Sequence, residues 1–97
     1  MAYKITEYSK RKARYFGLVA RPSKVKGKKI DLYLNGVRIA SIGALGYPDY
    51  PTLLELERAG KVPKGTAAAR RKAYKSRHEK NRHVKGTPGF YADQILW

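Results

Sequence analysis

A small α+β domain is expected from this chain on three grounds. An Asn35-Gly36 pair stands between two alternating apolar stretches, a Thr52-x-x-Glu55 pattern opens an apolar run, and Ala67-Ala68-Ala69 leads into a basic segment. Together they predict a small antiparallel β-hairpin or three-stranded sheet, with strands at about 13–20, 29–34 and 37–42. A short helix at 53–59 and a longer basic helix at 67–82 would cover it.

The first strand is expected in Ala13-Arg14-Tyr15-Phe16-Gly17-Leu18-Val19-Ala20, closed by Arg21-Pro22. Lys10, Arg11, Lys12 and Arg14 cluster at its entrance, and residues 22–28 (PSKVKGK) read as a basic loop. The hairpin follows. Asn-Gly is the favoured two-residue turn because both positions need positive φ. A simple register then sets Leu34 opposite Val37, Tyr33 opposite Arg38, Leu32 opposite Ile39 and Asp31 opposite Ala40. Ile30, Leu32 and Leu34 share one apolar face that needs a cover.

After Gly43 the chain turns through ALGYPDYP. Thr52 and Glu55 form a capping box for the short helix, with Gly60 as its stop. Lys61-Val62-Pro63-Lys64-Gly65 is a linker, and Thr66 is placed to cap the longer helix. At 100° per residue, Arg70, Ala73, Tyr74, Arg77, His78 and Asn81 lie on one face, with Tyr74 as its packing anchor. Arg71, Lys75 and Arg82 make a neighbouring stripe with no acid in it, suited to phosphate or carboxylate contact. The aromatic ending, with Phe90, Tyr91, Ile95, Leu96 and Trp97, must bury against the sheet or a neighbouring subunit.

Charge narrows the functional classes. The 97 residues carry a net charge of +15 and no cysteine. Residues 1–29 hold ten Lys and Arg against Glu7, residues 30–69 are neutral, and residues 70–97 hold eight against Glu79 and Asp93. A basic N-terminal segment (1–28) is thus expected ahead of a single domain (29–97). Such a balance favours polyanionic or acidic partners. The candidate contact residues are Arg71, Lys75 and Arg82, joined by Lys10, Arg11, Lys12 and Arg14.

Other classes find no support. No stretch approaches the roughly 18–20 apolar residues of a membrane span, and the start lacks the apolar run of a signal peptide. Without cysteine there is no thiolate metal site or disulfide. His78 and His83 are five apart and diverge on a helix, and Glu79 is the expected partner of Lys75 or His83. No phosphate-cradling glycine loop is present, and no serine or threonine has a recognisable base. No cofactor, metal, small-molecule substrate or catalytic residue is expected.

The segments ASIG (Ala40 to Gly43), Tyr47 with Asp49-Tyr50, RRKAYKSRH and GTPGFYADQILW resemble a family of small basic proteins encoded by large double-stranded DNA viruses. Its Tyr-x-x-Arg-His element falls here on Tyr74, Arg77 and His78, preceded by Arg70 and Arg71. Its aromatic ending falls on Gly89, Phe90, Leu96 and Trp97. The family often has Trp where this chain has Tyr91 or Ala92, and Glu-Asp-Trp where it has Asn81-Arg82-His83. The resemblance implies a viral setting: a virion structural protein such as a minor capsid component, or a protein bound to DNA. Its partners would be viral coat proteins, the nucleic-acid phosphate backbone, or both. Localisation would be the virion, and the host cytoplasm or nucleus during assembly.

Overall fold

Asn35 and Gly36 turn the chain with φ of 51° and 82°, as the type I′ geometry requires. They connect β2 (Lys28–Leu34) to β3 (Val37–Ala44) in a computed structural model that describes residues 3–97. The other elements are α1 (Glu7–Tyr15), β1 (Val19–Pro22), α2 (Tyr50–Arg58), α3 (Thr66–Arg77) and α4 (Pro88–Leu96). The three strands form one antiparallel sheet in the order β1-β2-β3. The expected α+β class is the one observed.

Next to the turn the register is as expected, with Leu34 opposite Val37 and Tyr33 opposite Arg38. A bulge then intervenes. Beyond it Leu32 pairs with Ala40 and Asp31 with Ser41, so the expected Leu32–Ile39 and Asp31–Ala40 pairs do not form. The shift has a chemical reason. Asp31 is fully buried and needs donors, and the extra residue moves a hydroxyl opposite it in place of the Ala40 methyl. Ser41 Oγ donates to Asp31 Oδ1 at 2.7 Å, Ser23 Oγ at 2.6 Å, and the Lys24 N–H donates to Oδ2 at 3.0 Å.

The first strand differs from its expected position. Residues 13–15 belong to the last turn of α1, and the strand runs from Val19 through Pro22. Thr6 caps the helix by accepting the Ser9 N–H at 3.2 Å. Ile5, Ser9 and Ala13 are buried at helical spacing, and the small Ser9 and Ala13 side chains let α1 lie close to α4. Ser9 Oγ donates to the Ile95 carbonyl at 2.9 Å. Pro22 is tolerated because β1 is an edge strand, where a missing N–H breaks no central ladder. The basic segment read as 1–28 therefore contributes a helix and a strand to the fold, its first two residues lying outside those described.

Two helix starts also move. α2 begins at Tyr50 because Asp49, not Thr52, is its cap: the Thr52 N–H donates to Asp49 Oδ1 at 3.0 Å, with Pro51 in the first turn. Gly60, at φ 72°, stops it as expected. α3 begins at Thr66 itself, whose hydroxyl turns back to the Pro63 carbonyl. One of its first amide donors is met from α2 instead, the Ala67 N–H donating to Glu57 Oε1 at 2.8 Å. The helix stops at Arg77, short of the expected residue 82, and residues 78–84 fold into turns.

The aromatic ending is itself a helix. Thr87 caps α4 and Pro88 occupies its first turn, a favoured place for proline. α4 packs on β3 and α1, setting Ile95 and Leu96 against Ile30, Leu32, Ile42, Ala13 and Leu18. Of the two destinations expected for this segment, the sheet is the one occupied. Gly43, at φ 80°, makes the contact possible. A Cβ there would lie 2.8 Å from Leu96 Cδ1 and 2.9 Å from Lys29 Cδ.

Candidate functional site

α3 presents two different faces; Tyr74 packs inward as expected, but the charged residues around it exchange the expected roles. Arg71, Tyr74 and Lys75 turn inward behind the buried Ala67, while Arg70, Ala73, Arg77 and His78 are exposed. The cause is Asp93 on α4, a buried carboxylate that draws in the cations facing it. Lys75 Nζ lies 2.8 Å from Asp93 Oδ1, and Arg82 Nη1 lies 3.6 Å from Oδ2. Arg71 stacks on Tyr50, its guanidinium carbon 4.7 Å from the ring centre. The Arg71–Lys75–Arg82 stripe thus already has internal partners. One signal of this was in the sequence: Asp93 is an acid set among large apolar residues, where a lone carboxylate needs a cation.

Glu79 does not meet Lys75. It accepts from Arg82 Nε at 2.9 Å and contacts His83 Nε2 at 2.8 Å. These contacts, His83 first and Arg82 next, hold its carboxyl below the usual range. The N-terminal cations stay outward: Lys10, Arg11 and Arg14 are exposed. Lys12 is half-buried, with Nζ 6.0 Å from the Tyr8 ring centre.

A third buried carboxylate joins the opposite end of the fold. Asp49 accepts from Lys29 Nζ at 2.9 Å and from the Tyr3 hydroxyl at 2.6 Å, and Lys29 also donates to the Tyr47 carbonyl. Burial and then the bond to Asp49 raise the Tyr3 hydroxyl pKa well above its usual value. Sequence reasoning missed this cluster because its members are 20 and 46 residues apart.

All three aspartates are therefore internal, and the acids that meet solvent are Glu7, Glu55, Glu57 and Glu79. Of the 22 Lys and Arg, all within the described residues, Lys29 alone is buried. The exterior is more cationic than the composition implies.

Between β3, α3 and α4 lies an open cleft of about 430 Å³. Its aromatic wall is Tyr74, stacked on Trp97 at 4.4 Å with an interplanar angle of 7°, and on His78 at 4.3 Å with a tilt of 32°. Burial, with the nearby Asp93 charge, raises the Tyr74 hydroxyl pKa. Tyr47, 72% exposed, stands at the margin. Arg77 and Lys28 supply cationic ends that have no ion-pair partner among the described residues, and no carboxylate side chain lines the space. Phe90, expected to pack, does so edge-on against Phe16 at 5.7 Å. The cleft combines a π surface with positive charge, a pairing suited to flat anionic groups.

Among the described residues no three His, Cys, Asp or Glu side chains gather as a metal site. No described helix is long and apolar enough to cross a membrane. No protein-family model, curated protein or solved structure matches this chain.

Proposed function

We propose that this chain is a non-enzymatic structural component of a large double-stranded DNA virus particle. Its basic exterior would join acidic coat-protein surfaces to one another or to the genome. The supporting observation is the inward placement of Asp31, Asp49 and Asp93, which leaves a surface of lysines and arginines relieved only by four glutamates. A protein that needed charge only for solubility would be served by far less. The viral setting comes from the motif resemblance. Mass spectrometry of purified, nuclease-treated virions tests this reading. Stoichiometric presence is expected, and absence removes it.

A second reading, a sequence-nonspecific DNA- or RNA-binding protein of the infected cell, is favoured by the aromatic cleft beside Arg77 and Lys28, which has no acidic side chain in its lining. Phosphate contacts release counterions, so affinity would fall steeply with salt. A log-affinity slope near zero in a salt titration would remove it.

A further inference from the structure

We infer that the cleft between β3, α3 and α4 accepts one nucleotide of a single-stranded nucleic acid, its base stacked on the aromatic wall and its phosphate held by Arg77 and Lys28. This inference rests on the nucleic-acid reading and adds to it a preference for unpaired strands. Three observations carry it. The volume of about 430 Å³ lies within the roughly 300–1,000 Å³ of small-ligand sites. Tyr74, Trp97 and His78 form a stacked group whose members all line the space. Arg77 is exposed, and neither it nor Lys28 has an ion-pair partner among the described residues.

The occupant follows from that chemistry. Bare polyphosphate would satisfy the cations and leave the aromatic wall unused. Duplex nucleic acid presents phosphates but keeps its base faces stacked inside, so it can meet only the rim. A base in a single strand offers a free face and a phosphate together, and any base will do because each has a π face. The cavity of about 530 Å³ beside Tyr3 and Lys10 provides a contrast. It has Glu7 and Glu55 in its walls and no aromatic stack.

Trp97 is the only tryptophan, so its fluorescence reports directly on this site. The probes are a strand of about ten deoxythymidines, a duplex of similar length, and linear polyphosphate. Binding of each is measured independently by sedimentation. The single strand is expected to quench Trp97, while duplex and polyphosphate bind and leave its emission unchanged. Tyr47→Ala and His78→Ala alter exposed side chains and should each weaken single-strand binding by about tenfold, with duplex binding unchanged. Thermal melting confirms that both variants fold. Quenching by polyphosphate equal to that by the single strand overturns the inference, as does unchanged single-strand affinity in either variant. If polyphosphate and duplex bind while the single strand leaves Trp97 unaffected, only the cleft assignment fails. If no probe sediments with the protein, the nucleic-acid reading fails with it.

Discussion

Lys75 Nζ sits 2.8 Å from Asp93 Oδ1, an ion pair that ties α3 to α4. Asp93 is buried and also faces Arg82, so two cations from different parts of the basic segment converge on a single acid.

Removing that acid should therefore cost more than removing either cation. Asp93→Asn leaves the partly buried Lys75 without a counter-charge and Arg82 with Glu79 alone, at about 2–3 kcal/mol after allowance for their partial exposure. Lys75→Ala, which leaves Arg82 beside Asp93, should cost about 1 kcal/mol. Thermal melting checks the order, at about 4–8 °C per kcal/mol for a domain this size.

Gly43→Ala should destabilise strongly. The added methyl meets Leu96 and Lys29 below 3.0 Å at a backbone φ of 80°, for a combined cost of about 2–4 kcal/mol from overpacking and left-handed strain. Gly60→Ala is the control, since φ there is 72° with nothing within 4 Å. It should lose only about 1–2 kcal/mol. Equal losses in chemical denaturation would show that the contact with Leu96 adds nothing.

Acid should unfold the protein partly through Asp31. Burial alone would raise its pKa, but the bonds from Ser23, Lys24 and Ser41, with Arg38 nearby, outweigh it and hold the carboxyl below its usual value. A folded pKa below the unfolded one, about 3.9, gives stability that is complete above that value and is lost as pH falls through the folded pKa. Asp31→Asn should be less stable at neutral pH and should show a shallower loss of stability below about pH 4. Denaturation midpoints measured against pH give both results.

Surface and interior cations should separate in binding experiments. Neutralising the exposed Arg70, Arg77 and Lys80 together should lower polyanion affinity and make its salt slope shallower, by about one for each phosphate that is no longer neutralised. The melting temperature of this triple variant should hardly change. Lys75→Ala should do the reverse, lowering stability with little effect on the slope.

The hairpin was legible because its signal is local: Asn35-Gly36 has few alternatives to a tight turn. The Gly60 stop was legible for the same reason. What escaped were features set by distant partners. The bulge exists because Asp31 needs Ser41, and the orientation of α3 because Asp93 lies across from it. Helix α1 was obscured by Tyr15, Phe16, Leu18 and Val19, which read as a continuous strand. The Thr6 cap and the spacing of Ile5, Ser9 and Ala13 would have found it. Arg71 and Lys75 on α3, with Arg82 in the turns beyond it, show that acid-free positions can be cationic toward the interior when another element brings the carboxylate.

Ser9 donates to the carbonyl of Ile95 across a sequence separation of 86 residues, and this pairing sets the order of events during synthesis. Until α4 leaves the ribosome, Ile30, Leu32 and Ile42 lack the cover that Ile95 and Leu96 give them. The hairpin and its turn can form early, because their contacts are local. The core must wait until α4 has been made. For that interval the nascent protein is a cationic polymer with one uncovered apolar face. Its net charge keeps copies apart for as long as that face is open.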